Sequence, residues 1–94
     1  MVVGADARAV GEELAENLEE DPPEVVELLC KCVQLLGEAD ARQLVVQTWK
    51  TETAGGLLTL DGTNRRRTPG GVFLWLVKQR LPAADRGRLF RRPG

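Results

Sequence analysis

The segment RRRTPGGVFLWLV, residues 65–77, carries the clearest structural signal in the chain. Thr68 is a residue type that caps helix N-termini, and Pro69 suits the first helical position. Gly70 and Gly71 would fill the first turn, and a continuous apolar block follows them. The segment therefore predicts a helix that begins at Pro69 with two glycines at its N-terminal end.

Three further helices are predicted upstream, each from an aspartate that could act as an N-cap followed by apolar residues at helical spacing. The caps are Asp6, Asp21 and Asp40, and the helices run to about Leu18, Leu36 and Thr53 respectively. Gly37 is expected to end the second helix in a left-handed conformation. Pro82 ends the Pro69 helix near Leu81, and a short fifth helix is expected through Leu89 and Phe90.

Between the third and fourth helices the helical periodicity disappears. Gly55 and Gly56 are expected to stop the third helix, and a non-helical connection runs from there to Thr68. The fold class predicted is all-α: a small single domain of four to five short helices with one long glycine-flanked loop. We divide the chain into an acidic N-terminal helix or extension (1–20), the domain proper (21–90) and a flexible tail (91–94).

The sequence leaves open how far the tryptophans and the cysteines are buried. Trp49 is predicted to face inward with its helical neighbours, and Trp75 lies in an apolar block, where a tryptophan is usually part of the core; stacking on nucleic-acid bases is the other interpretation. Cys30 and Cys32 are two residues apart on a helix and so point to different faces. We expect one core thiol, one semi-exposed thiol and no disulfide between them.

The charge is divided between the two halves of the chain. Residues 1–48 contain eleven acidic and three basic residues, a net charge of −8, whereas residues 49–94 contain ten basic and three acidic residues, a net charge of +7. A basic half concentrates positive potential even when the total charge is close to zero. A partner of the C-terminal half is therefore expected to be anionic.

The start of the Pro69 helix is a candidate anion site. Free N–H groups and the helix dipole favour an anion there, and Gly70 and Gly71 are the expected amide donors because Pro69 has no N–H. Three arginines directly upstream can add bidentate phosphate contacts. Other interpretations are open for these arginines and for nearby residues of the basic half. The arginines could simply form a solvated loop, and Gly55 and Gly56 could simply cap the C-terminus of the third helix. Lys78 could complement the negative C-terminal end of the Pro69 helix.

Catalysis has little support in this composition. The chain has no histidine and no tyrosine, and no nucleophile has an evident base beside it. Two cysteines without histidine cannot supply a four-ligand zinc site. No apolar run approaches the roughly 20 residues that span a bilayer. We expect a non-enzymatic domain with no cofactor, no metal and no membrane segment.

The stretch GGLLTLDGTNRRRTPGGVFLWLVKQ, residues 55–79, resembles the RNA-binding domain of the phosphorylated adaptor for RNA export. That family has the same order of a glycine pair, a short apolar stretch, a turn, RRRTPGGVF and an apolar helix. The chain departs from it at Trp75, where a polar side chain is expected. The resemblance implies an all-helical domain that binds single-stranded RNA with low sequence specificity.

Carried over by position, with Lys78 added as an extension of the basic track, the RNA-binding residues are expected to be Gly55, Gly56, Arg65, Arg66, Arg67, Thr68, Gly70, Gly71 and Lys78. The resemblance also implies small nuclear RNA as a ligand, and the cap-binding complex and an export receptor as partners of the full-length protein. It implies a nuclear location with shuttling to the cytoplasm; we expect a monomer. The alternative function is a helical protein-interaction domain that docks an acidic partner.

Overall fold

The structure is a computed structural model, and it describes residues 2–55 and 68–90. These residues form five helices: α1 Ala5–Asn17, α2 Pro23–Leu36, α3 Glu38–Thr53, α4 Pro69–Arg80 and α5 Ala83–Leu89. The two described ranges contain no strand. The all-α class and the helix count are therefore confirmed. The glycine-flanked segment between α3 and α4, from residue 56 to 67, lies outside the described residues.

The α1 and α2 helices share the most extensive interface of the domain. Gly11 makes this close approach possible, because a Cβ there would lie 2.5 Å from Sγ and 2.6 Å from Cα of Cys30 on α2. Arg8 and Glu27 join the same helices at the surface through two hydrogen bonds of 2.8 and 3.2 Å. This pairing lowers the pKa of Glu27, chiefly through the Arg8 hydrogen bond.

A single residue connects α2 to α3. Gly37 is both the C-cap of α2 and the N-cap of α3, with φ 89° and ψ 156°. Its positive φ agrees with the left-handed conformation expected for it, but its extended ψ sends the chain directly into the next helix. Because no Cβ contact would arise there, the positive φ alone makes glycine favourable at this position.

The α3 and α4 helices pack against each other. Arg80 in the last turn of α4 lies 3.8 Å from Asp40 in the first turn of α3. Between these ends, Phe73 and Val77 of α4 are fully buried, as is Thr48 of α3. The Thr48 hydroxyl donates to the Leu44 carbonyl oxygen at 2.8 Å, so its burial leaves no unsatisfied donor.

One hydrophobic core connects the five helices. Its buried side chains come from every helix and from the residues that follow α1 and α4, and they are Leu14, Ala15, Leu18, Leu29, Cys32, Val33, Ala41, Leu44, Val45, Phe73, Val77, Leu81 and Leu89. The N-terminal helix α1 thus contributes to the same core as the rest of the domain. Among the described residues, no helix is both long enough and apolar enough to cross a membrane.

The three aspartate caps predicted from the sequence are wrong. The observed N-caps are Gly4, Pro22 and Gly37, and none of them makes a side-chain capping bond. The α1 helix starts early because the Gly4 amide is held by Gln34 Oε1 at 2.9 Å. The α3 helix starts early because it follows α2 without an intervening loop. Asp6 and Asp40 consequently lie in first turns, where a carboxylate still complements the helix dipole.

The predicted positions of three side chains also need correction. Cys30 is as fully buried as Cys32, because it packs into the space left by Gly11. Trp49, predicted to face inward, is 36% exposed, and Trp75 is 38% exposed in the middle of an apolar helix. The helix ends at Thr53 and Leu89 agree with the sequence-based prediction.

Candidate nucleic-acid interface

The predicted start of α4 is confirmed in detail. Thr68 is the N-cap with φ −67° and ψ 160°, and Pro69 is the first helical residue. The Thr68 hydroxyl oxygen accepts a hydrogen bond from the Gly71 N–H at 3.1 Å. This bond satisfies one of the backbone donors that a helix N-terminus leaves unpaired.

A carboxylate from elsewhere in the chain lies at this helix end. The Thr68 hydroxyl donates to Glu20 Oε1 at 3.2 Å. Gly70 is buried against the same side chain, since a Cβ on Gly70 would lie 2.5 Å from the Glu20 carboxyl carbon and 2.6 Å from its Cγ. The positive end of α4 is thus next to an internal anion, as helix N-termini favour.

The end of α1 places Glu20 in this position. Glu19 has a left-handed backbone, φ 59°, and its N–H donates to the Glu16 carbonyl at 3.1 Å. The Glu20 N–H donates to the Ala15 carbonyl at 2.9 Å. This pair of bonds is a Schellman motif, which usually has glycine at the left-handed position. Glu19 gives no such signal, so the local sequence does not indicate that Glu20 lies at the start of α4.

Internal contacts involve both glycines that were expected to face an external anion, although only the Gly71 amide is hydrogen-bonded by them. Gly71 donates to Thr68, and Gly70 lies against Glu20. An external anion can approach the Gly70 side of this turn only if the Glu20 side chain moves away. The capping role of Thr68 was predictable from the local sequence, whereas the position of the Glu20 side chain at this helix end was not.

Lys78 lies about two turns beyond Gly71 on the same helix. Its ammonium group is 4.7 Å from the centre of the Phe90 ring, a cation–π contact that connects α4 to the residue after α5. Arg80 pairs with Asp40 at the other edge of the helix. No acidic residue occurs in α4, so its own side chains contribute only positive charge.

The remaining predicted site residues lie near the described ends of the loop or outside the described residues. Gly55 follows α3 with φ 115°, a conformation that favours glycine, and its N–H donates to the Glu52 carbonyl at 3.1 Å. Gly56 and the arginine run 65–67 lie outside the described residues. Covalent connection still places Arg67 immediately before the Thr68 cap.

The acidic half of the chain forms a separate surface. An open groove along α1 and the turn after it is lined by six carboxylates: Glu12, Glu13, Glu16, Glu19, Glu20 and Asp21. In the two described ranges no group of three histidine, cysteine or acidic side chains is arranged to hold a metal ion. Of these six carboxylates, Glu20 is the one that also contacts the start of α4, through Thr68.

Together the five-helix core and the threonine-capped glycine turn, which the arginine run precedes in the sequence, define a small helical domain. Comparison with known proteins agrees with that class. The family model described as "Phosphorylated adapter RNA export protein, RNA-binding domain" matches residues 10–92. The chain belongs to this family, which confirms the resemblance noted for residues 55–79.

Curated relatives that carry the name phosphorylated adapter RNA export protein match over 69 residues, or 73% of this chain. The identity is 42% for Mus musculus, 39% for Homo sapiens and 41% for Gallus gallus. The chain matches only 17% of the length of the mouse protein and 16% of the other two. No solved structure matched the chain.

Proposed function

We propose that this domain binds single-stranded RNA, mainly through phosphate contacts and with low sequence specificity. The observation that carries the proposal is the junction at Thr68, where three consecutive arginines lead directly into the capped, positively polarised end of α4. Arginine forks bind phosphate oxygens bidentately, and a helix N-terminus favours an anion. Membership of a family named for RNA binding supports the same ligand.

The predicted contacts divide into two groups. Arg65, Arg66 and Arg67 neutralise phosphates, while Gly55 and Gly56 let the connection to α3 adapt to a flexible strand. Thr68, Gly70 and Gly71 form the helix start that the phosphate approaches, and Lys78 extends the positive potential along α4. The Glu20 carboxylate lies at this helix start, so phosphate binding there requires the Glu20 side chain to move away.

The test is a titration of labelled single-stranded RNA at two salt concentrations. If each arginine neutralises one phosphate, the three together account for a log–log salt slope of about −2, at about −0.7 per contact. The variant Arg65/Arg66/Arg67→Ala should lose affinity and lower the salt dependence by that amount. The matched control Arg80/Arg86/Arg88→Ala removes the same total charge from α4 and α5.

Two results would contradict phosphate binding by Arg65, Arg66 and Arg67. Unchanged binding by a folded triple variant is one, and an equal loss in the control variant is the other, since it would indicate unspecific attraction. The alternative function, docking of an acidic protein partner, predicts that an acidic peptide perturbs amide signals from Thr68 to Lys78 while RNA leaves them unchanged.

The biological role of the parent protein is a further part of the proposal. We propose that the RNA is a small nuclear RNA and that the full-length protein acts with the cap-binding complex and an export receptor. A nuclear location with shuttling to the cytoplasm follows from that role, and the domain itself would act as a monomer. The printed name of the relatives, which refers to RNA export, supports this role.

The export role is tested separately from RNA binding. The isolated domain should retain labelled RNA but should not, by itself, retain the cap-binding complex or an export receptor in a pull-down. Light scattering gives the molar mass of the free domain and so tests whether it is a monomer. RNA binding without export activity in the full-length protein would remove the export role and leave the RNA-binding function intact.

A further inference from the structure

Trp75 stands out among the apolar residues of α4. It is 38% exposed, whereas Val72, Phe73 and Val77 on the same helix are fully buried. Exposing part of an indole ring to water forgoes the hydrophobic free energy that its burial would supply. Isolated exposed apolar residues are common on protein surfaces, so the exposure of Trp75 gains meaning only from its neighbours.

Those neighbours are Gly71 and Lys78. Residues three and four apart on a helix share a face, so Gly71, Trp75 and Lys78 lie on one face of α4, on which Gly71 is half-buried and the other two are exposed. Along the helix axis, Trp75 lies about 6 Å from Gly71 and about 4.5 Å from Lys78 at 1.5 Å per residue. Gly71 adds no side chain that would cover the indole, and the Lys78 ammonium is held over the Phe90 ring at 4.7 Å.

We propose that Trp75 is a stacking platform for an unpaired base of single-stranded RNA. The base would lie on the indole face while its flanking phosphates lie towards Lys78 and the start of α4. Every base has a π-face, so such stacking adds affinity without demanding a sequence. The inference rests on the proposed function and adds a contact to bases, which phosphate binding alone does not include.

The charge of the helix favours this ligand over an apolar protein surface. The side chains of α4 include two cations, Lys78 and Arg80, and no acid. Trp49 on α3 is almost equally exposed, at 36%, but α3 carries three acids and two bases. A polyanion should therefore approach Trp75 rather than Trp49, which makes Trp49 an internal comparison of the same residue type.

Fluorescence can distinguish the two tryptophans directly, because the chain contains two tryptophans and no tyrosine. Trp49→Phe leaves Trp75 as the single indole, and Trp75→Phe leaves Trp49. Titration with single-stranded oligouridylate should quench the fluorescence of the Trp49→Phe variant and leave that of the Trp75→Phe variant nearly unchanged. The opposite pattern, or no quenching at RNA saturation, would overturn the proposal.

Affinity measured through a label on the RNA gives a second readout. Trp75→Leu should weaken oligouridylate binding by about 5- to 150-fold, the range that corresponds to one stacked base. Trp75→Phe should retain much of the affinity. An abasic ribose-phosphate oligomer should bind wild type and Trp75→Leu equally; a loss for this oligomer too would mean that Trp75 acts through the fold and would overturn the proposal.

The outcomes separate this inference from the proposed function. If wild-type protein binds no RNA, the proposed function fails and the stacking role fails with it. If wild type binds RNA in a way that depends on Arg65–Arg67, but Trp75→Leu binds equally well, only the stacking role is overturned. Thermal unfolding of each variant verifies that an affinity change does not reflect an unfolded domain.

Discussion

The Thr68 hydroxyl and the Glu20 carboxylate form a hydrogen bond of 3.2 Å between residues 48 positions apart in the chain. The same hydroxyl accepts the Gly71 N–H, so one oxygen caps α4 and ties the turn after α1 to it. This relationship connects the acidic surface of the domain to the helix start that we propose as the phosphate site.

Replacing Thr68 with valine should destabilise the domain. The variant keeps the side-chain shape but removes both the acceptor for Gly71 and the donor to Glu20. Loss of an N-cap typically costs about 0.5–2 kcal/mol in unfolding free energy. Thr68→Ser retains the hydroxyl and should stay close to wild type in chemical denaturation. Equal stability of the valine and serine variants would show that the cap contributes little.

Gly70→Ala should have opposite effects in two backgrounds. In wild type the new Cβ would displace the Glu20 side chain and so break its bond to Thr68. In a Glu20→Ala background that conflict is absent, and alanine should stabilise the helix by up to about 1 kcal/mol through its higher propensity. A double-mutant cycle should give a coupling of about 0.5–2 kcal/mol. Additive effects would place Glu20 away from Gly70 in solution.

Glu20→Gln should raise the affinity for single-stranded RNA. Glutamine can still accept the Thr68 hydrogen bond, but the negative charge that competes with a phosphate is gone. We expect a gain of about two- to fivefold, the size typical of one partly exposed charge interaction. Glu12→Gln, which removes a charge from the acidic groove away from α4, serves as the control. Identical gains in both variants would assign the effect to net charge.

Gly11→Ala should be among the most disruptive single substitutions in the domain. Its Cβ would lie 2.5–2.9 Å from Sγ, Cα and N of Cys30, and backbone atoms cannot move aside as a flexible side chain can. We expect a loss of about 3 kcal/mol, the upper part of the usual range for overpacking. Gly87→Ala on α5 meets no atom within 4 Å and should gain about 0.5–1 kcal/mol. Thermal unfolding of the two variants gives the comparison.

The two cysteines should resist alkylation while the domain is folded. Burial raises the pKa of Cys32 to about 12 and also raises that of Cys30. The Cys32 thiol therefore stays protonated in the fold at pH values where unfolded thiols, with a pKa of about 8.5, ionise, and the raised pKa of Cys30 favours its protonated form as well. The buried Cys32 thiol therefore contributes fully to the free energy of unfolding below the pKa of an unfolded thiol. This contribution falls as the pH rises from about 9 towards 12. Iodoacetamide at pH 9 should label the urea-unfolded chain much faster than the native one.

Much of the fold followed from local sequence. The start of α4 was predictable because Thr68 and Pro69 act within one helical turn, through a hydroxyl in reach of the Gly71 amide and a fixed φ. The end of α3 near Thr53 was predictable from the glycines that follow it, and the end of α4 near Leu81 from Pro82. The caps at Asp6, Asp21 and Asp40 were not, since the observed N-caps lie one to three residues away; for α1 the early start coincides with the hydrogen bond from Gly4 to Gln34.

The candidate site divides in the same way. The sequence by itself determined the capped glycine turn, the arginine run beside it and the family, since these features are contiguous in the chain. The arginine contacts stay a prediction, as residues 56–67 lie outside the described residues. Only the tertiary structure decided that Glu20 lies at this turn and that Trp75 is exposed. The positions of Glu20 and Trp75 depend on how α1 and α4 pack against the core. That packing is the sum of many weak contacts between residues distant in the chain, so no local sequence pattern reveals it.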